Sequence, residues 1–152
     1  MTFEYQSKIY LGEVAIYVAD LAGQSDFYKR VLGLELLEEQ DGQVALGRDG
    51  QVLVRLLATS DRQSVKSAYG LYHLALLLPS RQALADILKH LSENKVPMVG
   101  GADHGYSEAI YLEDPEGNGI ELYRDKPQAD WDIREDGRII GVTEALAAQE
   151  IY

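Results

Sequence analysis

The sequence lacks cysteine altogether, so no disulfide can stabilise the fold, and a reducing compartment such as the cytoplasm is expected. The opening residues, MTFEYQSKIY, also lack the basic start and the apolar core of a secretory signal. No apolar run approaches the length that is needed to cross a bilayer. These absences predict a soluble cytoplasmic protein that has no membrane partner.

Basic residues are outnumbered: 14 lysines and arginines stand against 25 aspartates and glutamates, which gives a net charge of −11 at pH 7. A chain this acidic repels the phosphate backbone of nucleic acids unless a local basic patch compensates, and the sequence has no such patch. We therefore expect no nucleic-acid partner.

Phenylalanine and tryptophan are also rare, with two and one, whereas tyrosine occurs ten times. A tyrosine carries a polar hydroxyl on an apolar ring, so two interpretations are open: half-buried positions on strands, or a pocket lined with hydroxyl groups. At 152 residues the chain has the length of one domain, or of two small structural units that share a core.

A duplicated pattern runs through residues 9–58 and again through residues 70–125. Each copy opens with a strand pattern, LGEVAIYVADL or LYHLALLLPS, continues into a helix, and ends with three short strands separated by turn residues. The repeated element is βαβββ, and the predicted fold class is α+β. Residues 126–152, the C-terminal tail, have no counterpart in either copy. Within the tail, WDIREDGRIIGV indicates a short hairpin around Asp136-Gly137, and TEALAAQEIY has helical propensity.

Capping residues and apolar periodicity locate the two helices. In the second copy Ser80 is a suitable N-cap, and an apolar face follows at helical spacing: Leu84, Ile87, Leu88 and Leu91. The first helix lies within LAGQSDFYKRVLG, and Gly33 stands where its C-terminal cap belongs. Its predicted buried stripe consists of Phe27, Val31 and Leu32.

Strand alternation places four polar side chains at equivalent positions of the two copies. One face of each opening strand is apolar and is expected to cover the helix: Val14, Ile16 and Val18 in the first copy, and Tyr72, Leu74 and Leu76 in the second. The opposite face begins with Glu13 in the first copy and with His73 in the second. On the closing strands, VLVRLL and GIELY, the same alternation of side chains makes Arg55 equivalent to Glu121. The prediction is that these four side chains converge in one concavity.

The paired βαβββ pattern resembles the vicinal oxygen chelate superfamily, and three segments carry the likeness: GLYHLALLLPSRQAL, GGADHGYSEAIYLEDPEGNGIELYRDKP and the tail pattern W-x-x-x-x-D-G-x-x-x-x-V-T-E. That superfamily includes glyoxalase I, fosfomycin-resistance proteins, bleomycin-binding proteins and extradiol dioxygenases. The chain is most similar to the first half of the bacterial catechol 2,3-dioxygenase-like proteins. The resemblance implies a single domain, residues 1–152, whose two βαβββ units curl into a glyoxalase-like cup with the helices outside.

The resemblance also implies a divalent metal in the cup: iron(II), manganese, nickel or zinc. Imidazole nitrogen and carboxylate oxygen suit such ions, and three protein ligands leave open positions for a substrate. Carried over by position, His73 and Glu121 match metal ligands, and Glu13 stands where the dioxygenases have their other histidine. Tyr111 matches a substrate-binding tyrosine, and His104 matches a histidine that can act as acid or base near neutral pH. Tyr111 and His104 are therefore the expected catalytic residues.

Two departures from the dioxygenase pattern leave alternatives open. Glu13 adds a second carboxylate, and Arg55 cannot ligate a metal, so these two would form an ion pair that needs no metal. Tyr17, Arg55 and Tyr123 are expected to bind substrate, although tyrosines are also ordinary strand residues. The segment QVALGRDGQVLVRLL contains no histidine for the acid–base role of ring cleavage, which speaks against that reaction.

Three functions fit this sequence. The first is a metal-dependent enzyme of the dioxygenase or lyase type that acts on a small oxygenated substrate. The second is a metal-free module that binds a small aromatic or anionic molecule in the same cup, with His73 as a hydrogen-bonded core residue and Glu121 held by an arginine. The third is the non-catalytic half of a larger ring-cleavage dioxygenase. Exposed edge strands in each unit favour a homodimer.

Overall fold

The computed structural model describes residues 12–60 and 70–151. The chain divides into two compact units, residues 1–62 and residues 63–152. Among the described residues, each unit contains one α-helix and one mixed sheet, which confirms the α+β class and the glyoxalase-like repeat of βαβββ units. That the two units form a single domain stays a prediction.

The first unit consists of β1 (Val14–Val18), α1 (Leu21–Arg30), β2 (Glu35–Gln40), β3 (Gln43–Arg48) and β4 (Gln51–Ala58). The strand order is β1-β4-β3-β2, in which β1 is parallel to β4 and the other neighbours are antiparallel. Apolar residues on one face of this sheet form its core: Ile16, Val18, Val44, Leu46, Val54 and Leu56. The other face of β1 carries Ala15 and Tyr17, both exposed, so the predicted alternation of this strand is confirmed.

Helix α1 buries a different face from the one predicted. Gly33 follows its end with a φ of 72°, as expected of a residue that stops a helix. The predicted stripe of Phe27, Val31 and Leu32 is only half-buried. The buried residues are instead Gln24, Ser25 and Tyr28. The prediction was wrong because it followed apolar residues alone, whereas Tyr28 and Gln24, one turn apart, present their long side chains to the interior.

The second unit consists of β5 (Leu74–Leu77), α2 (Arg81–Glu93), β6 (Met98–Asp103), β7 (Ser107–Glu113), β8 (Gly119–Asp125) and β9 (Glu144–Ala145). The strand order is β5-β8-β7-β6-β9, with β5 parallel to β8 and the other neighbours antiparallel. Short 3₁₀ turns at Gln128–Asp130 and Ala148–Glu150 lie in the C-terminal tail. Across residues 12–60 and 70–151, no helix is long and apolar enough to span a membrane.

Helix α2 begins and packs as predicted. The Ser80 hydroxyl accepts a hydrogen bond from the Ala83 N–H at 3.1 Å, which makes Ser80 the N-cap. Of the predicted face, Leu84, Leu88 and Leu91 are buried and Ile87 is half-buried. The expectation that Tyr72 covers this helix is wrong, because Tyr72 precedes β5 and is 88% exposed.

The strand registers confirm the internal repeat. In the first sheet Ala15 on β1 lies opposite Arg55 on β4, and in the second sheet Ala75 on β5 lies opposite Glu121 on β8. Arg55 and Glu121 therefore occupy equivalent positions, as strand alternation predicted. Both sheets also contain a register shift at the same place, between β2 and β3 and between β6 and β7.

The C-terminal tail adds a strand within a segment that has helical propensity. Its hairpin is confirmed by an antiparallel bridge between Ile133 and Ile139, with Gly137 at a φ of 84° in the turn. The segment TEALAAQEIY is not helical: β9 pairs with β6, and one 3₁₀ turn follows. A short helix with nothing to pack against is only marginally stable in water. Pairing with β6 instead gives the backbone N–H and C=O groups of β9 partners in the sheet. Since β9 covers part of the β6 edge, that edge offers less surface for the predicted homodimer, which stays a prediction.

Candidate functional site

Four of the predicted site residues form one series of close polar contacts in the second unit. The His73 Nε2 atom lies 2.8 Å from Glu121 Oε2. The Tyr111 hydroxyl donates to Glu121 Oε1 at 2.8 Å, and His104 Nε2 lies 2.9 Å from the Tyr111 hydroxyl oxygen. The structure thus brings together the two predicted metal ligands of this unit and both predicted catalytic residues.

Strand register places these side chains on one face. Glu121 lies near the middle of β8, directly opposite Ala75 on β5 and Tyr111 on β7. Residues that lie opposite one another in a sheet point to the same side, so Tyr111 and Glu121 meet, while the small Ala75 leaves space beside the carboxylate. His73 reaches the same carboxylate from the residue that precedes β5.

A glycine permits the close approach of His73. A Cβ atom on Gly119 would lie 2.6 Å from the Tyr72 carbonyl oxygen and 3.2 Å from the His73 Cβ atom. Any larger residue would therefore push the start of β5 away from β8. In the segment DPEGNGIELY, Gly119 serves this contact, whereas Gly117, with a φ of 84°, serves the turn.

Burial keeps the tyrosines of this face protonated. Burial raises the pKa of Tyr111 well above its usual range, and the hydrogen bond to the Glu121 carboxylate and its charge raise it further. Burial likewise raises the pKa of Tyr123, with added repulsion from Asp125 and Glu121. Both phenols are thus hydrogen-bond donors at neutral pH.

A cavity of about 470 Å³ lies next to this series. Its wall includes His73, Tyr111 and His104. Val99 of β6 and Thr143 of the C-terminal tail also line it. The volume lies in the range of pockets that hold small organic ligands, and a mainly apolar wall with a few convergent polar groups is typical of such pockets.

His73 and Glu121 fit two adjacent positions of a divalent metal. Two ligand atoms about 2.1 Å from one ion and at right angles are about 3.0 Å apart. The measured separation of Nε2 and Oε2 is 2.8 Å, close to that value. Within the part of the chain that the structure describes, no group of three or more histidine, cysteine, aspartate or glutamate side chains is arranged to hold a metal. The remaining positions would therefore fall to water, substrate or another side chain.

In the first unit, the equivalent positions hold an ion pair. Arg55 donates from Nε to Glu13 Oε1 at 2.6 Å and from Nη2 to Glu13 Oε2 at 3.0 Å. Its Nη1 donates to Glu38 Oε2 at 3.0 Å. The hydrogen bond from Arg55 holds the pKa of Glu13 below its usual range, and the bonds to both carboxylates raise the pKa of Arg55. The structure thus displays the ion-pair alternative for Glu13 and Arg55.

The remaining predicted site residues lie in the first unit or away from the cavity. Tyr17, a predicted substrate-binding residue, lies on β1 and is 72% exposed. The pair Glu13–Arg55 belongs to the first unit, and the pair His73–Glu121 belongs to the second. Their convergence in one cup stays a prediction.

The sequence reasoning missed a buried charge cluster. Glu108 on β7 pairs with Arg124 on β8, and both are buried, at 6% and 8% exposed. Arg124 donates from Nε to Glu108 Oε2 at 2.7 Å, and Arg81 donates from its own Nε to the same oxygen at 3.2 Å. A signal was present, because Glu108 and Arg124 each lie eight residues from Glu116 in the turn, so an antiparallel pair centred on that residue places them opposite one another.

Comparison with known proteins identifies relatives of the chain. Residues 10–122 match the profile of a family described as the Glyoxalase/Bleomycin resistance protein/Dioxygenase superfamily. A catechol-2,3-dioxygenase of Bacillus subtilis (strain 168) is 36% identical over 140 residues, which are 90% of this chain and 49% of that protein. The chain thus spans about half the length of this relative. A lactoylglutathione lyase of Neisseria meningitidis is 28% identical over 120 residues, which are 72% of this chain and 86% of that enzyme.

Solved structures share the fold. An integron cassette protein from the mobile metagenome of V. cholerae superposes with a TM-score of 0.61 at 25% identity, covering 78% of this chain and 96% of that one. A glyoxalase/dioxygenase from Nostoc punctiforme superposes with a TM-score of 0.63 at 22% identity, covering 78% of this chain and 92% of that one.

Proposed function

The chain belongs to the glyoxalase/bleomycin resistance protein/dioxygenase superfamily, and on that premise we propose that it is a metal-dependent enzyme of the dioxygenase or lyase type. The proposed substrate is a small oxygenated molecule that enters the cavity of the second unit. The observation that carries this proposal is the series of His73, Glu121, Tyr111 and His104, three of which line that cavity. The fold alone would not carry it, because one scaffold hosts many reactions.

In this proposal His73 and Glu121 hold the divalent ion. A bound ion supplies Lewis-acid chemistry, in that it polarises an oxygen atom of the substrate. Glu13 is the third ligand that the family resemblance implies, but both of its oxygens are engaged by Arg55. While the Glu13–Arg55 ion pair is intact, we therefore assign the third coordination position of the metal ion to water or substrate.

Tyr111 and His104 would act on the substrate directly. The Tyr111 hydroxyl, which stays protonated, would turn its one proton from Glu121 to a substrate oxygen. His104 Nε2, at 2.9 Å from that hydroxyl, is within reach of the same proton. Two relatives, named as a catechol-2,3-dioxygenase and a lactoylglutathione lyase, support an oxygenated substrate. The described strands β3 and β4 hold no histidine, so we favour a reaction other than ring cleavage.

Metal stoichiometry tests the proposal. The protein is stripped of metal, incubated in turn with iron(II), manganese(II), nickel(II) or zinc(II), desalted, and analysed for bound metal. We expect one ion per chain for at least one of these metals. The variant His90→Ala, which removes an imidazole on α2 outside the cavity, is expected to keep that stoichiometry. Absence of stoichiometric metal in all four reconstitutions would rule the proposal out.

A metal-free binding module is the second candidate, and the Arg55 cluster favours it. Two carboxylates satisfy the guanidinium without any metal, on the face of the sheet that would otherwise offer Glu13 as a ligand. In such a module the cavity of the second unit would hold a small molecule by packing and tyrosine hydrogen bonds alone.

The variant Arg55→Met distinguishes these functions. Arg55 lowers the pKa of Glu13 in the folded protein. At a pH above about 4.3, the pKa of a glutamate in the unfolded chain, the ionised Glu13 carboxylate therefore stabilises the fold. This stabilisation is lost as the pH falls through the lower pKa that Glu13 has in the folded protein. Arg55→Met is therefore expected to lower stability at pH 7, by an amount that shrinks below about pH 4. Urea titrations across this pH range measure it.

The control for Arg55→Met is Arg48→Met, which removes an exposed arginine paired with Glu35 at 3.5 Å and should change little. The metal-free function predicts that Arg55→Met gains no metal affinity. A variant that is as stable as the wild type and binds metal more tightly would count against that function.

A further inference from the structure

His104 and Val142 of the C-terminal tail bind each other through two reciprocal contacts. The Val142 N–H donates to the His104 carbonyl oxygen at 3.1 Å. The His104 Nδ1 atom lies 3.0 Å from the Val142 carbonyl oxygen. A carbonyl oxygen can only accept, so this second contact is a hydrogen bond when Nδ1 carries the proton.

That contact decides which nitrogen of the neutral ring is free. A neutral imidazole carries one N–H, and the hydrogen bond of one nitrogen fixes the role of the other. With the proton on Nδ1, the Nε2 atom presents a lone pair to the Tyr111 hydroxyl, 2.9 Å away. The single phenol proton, which Tyr111 donates to Glu121, then has a second acceptor in Nε2. With the proton on Nε2, the ring could only donate to Tyr111, and the phenol would have Glu121 as its acceptor in this series.

We propose that the C-terminal tail is part of the site, because its Val142 carbonyl fixes His104 as the Nδ1–H tautomer and so makes Nε2 a second acceptor, beside the Glu121 carboxylate, for the single Tyr111 proton. Val142 is thus a positioning residue that acts through its backbone. The inference rests on the proposed function, since the tautomer matters for chemistry only if His104 and Tyr111 handle a substrate proton.

Several independent contacts hold the tail where this role requires it. Strand β9 pairs with Ala102 and Asp103 of β6, immediately before His104. A Cβ atom on Gly101 would lie 2.9 Å from the Leu146 side chain, so a glycine is needed where the tail crosses β6. Arg81 Nη1 donates to the Glu150 carbonyl oxygen at 3.1 Å.

The tail also forms part of the cavity and supports the His104 ring from its other side. Thr143, the residue after Val142, lines the cavity. The His104 ring stacks on Tyr106, with ring centroids 6.3 Å apart and planes 26° apart. Tyr106 in turn contacts Trp131 of the tail edge to face, with centroids 6.1 Å apart. The tail therefore approaches His104 both through backbone hydrogen bonds and through an aromatic contact.

Nitrogen-15 NMR of the histidine side chains tests this inference in the metal-free protein. The chain has only three histidines, so His→Gln variants assign each imidazole. At a pH where the rings are neutral, we expect His104 to show a protonated Nδ1 and an unprotonated Nε2. A His104 ring that is protonated on Nε2 in the wild-type protein would overturn the proposal directly.

Two variants at one position test the cause. Val142→Pro removes the N–H that donates to His104, so the reciprocal pairing is expected to loosen and His104 to lose its preference for the Nδ1–H form. Val142→Ala keeps both backbone groups and is expected to keep the tautomer. Proline keeps the carbonyl of residue 142, so the hydrogen bond from Nδ1 to that carbonyl is followed by NMR in the same variant. If His104 retains the Nδ1–H form in Val142→Pro although that hydrogen bond is lost, the tail carbonyl is not its cause and the proposal fails; if the form is retained together with the hydrogen bond, or lost together with it, the proposal holds.

Activity gives a second readout once a substrate is known. Val142→Pro is expected to lower kcat about tenfold or more, within the factor of about 10²–10⁴ that general acid–base catalysis supplies, with KM little changed. Asp136→Asn, in the turn of the tail hairpin, contacts Arg138 and should keep the wild-type kcat. The tautomer measurement needs no metal, so failure of metal binding and failure of this inference are separate results.

Discussion

Replacement of Glu108 by alanine is expected to lower the free energy of unfolding by about 3–5 kcal/mol. The Glu108 side chain is 9% exposed and pairs with two guanidinium groups, those of Arg124 and Arg81. Without it, Arg124, whose side chain is 10% exposed, keeps its charge in the interior beside a second cation. Removal of one partner from a buried ion pair is costly for this reason, even where the intact pair adds little net stability.

Urea unfolding at pH 7 measures this change, and thermal unfolding should show a midpoint lower by about 10 °C. The matched control is Glu93→Ala, which breaks an exposed pair with Lys89 at 3.8 Å and is expected to cost at most about 0.5 kcal/mol. A loss below about 1 kcal/mol for Glu108→Ala would contradict the argument, because it would mean that Arg124 finds other compensation for its charge.

Replacement of Glu121 by alanine is expected to weaken metal binding by about 10²–10³-fold. A structural zinc site with four ligands binds with about 10–16 kcal/mol, which is about 3–4 kcal/mol for each ligand. Each 1.4 kcal/mol is a factor of about ten in affinity. Glu121 is also the shared acceptor of His73 and Tyr111, so its loss should free both side chains of the proposed site.

Isothermal titration with the metal that gives one ion per chain measures this affinity. His73→Ala should weaken binding by a similar factor, because it removes the other proposed ligand. Glu113→Ala is the matched control: it removes the same charge from the cavity wall but not from the ligand pair. If Glu121→Ala and the wild-type protein bind the metal with equal affinity, Glu121 is not a ligand. If Glu113→Ala loses as much affinity as Glu121→Ala, Glu121 contributes only its negative charge and not a direct bond to the metal.

Strand periodicity was sufficient to predict the four central polar residues. Side chains alternate along a strand, so the positions of Glu13 and His73 followed from the apolar residues next to them, and those of Arg55 and Glu121 followed from the closing strands. The registers show the equivalence of Arg55 and Glu121, and Glu13 and His73 each directly precede the opening strand of their unit. The alternation could not show that Glu13 and Arg55 bind each other in one unit, because that depends on side-chain conformation.

Glu38 illustrates what local patterns cannot show. Regular alternation from Leu36, which lies opposite Leu46, would place Leu37 opposite Ala45. A register shift after Leu36 places Glu38 there instead, on the face of Arg55. No turn residue or apolar period in ELLEEQ marks that shift. The tail and the buried face of α1 were missed for a related reason, since packing against distant segments decided both.

The matching register shifts in the two sheets place different kinds of residue at equivalent positions. In the first sheet the shift brings a carboxylate, Glu38, to the guanidinium of Arg55. In the second sheet the corresponding shift brings Gly100 opposite Tyr111, and a residue without a side chain leaves room there for a guest molecule. One duplicated position thus holds a carboxylate that pairs with an arginine in the first copy and a glycine in the cavity wall in the second, so a change of one side chain lets the two copies of a repeat take different roles.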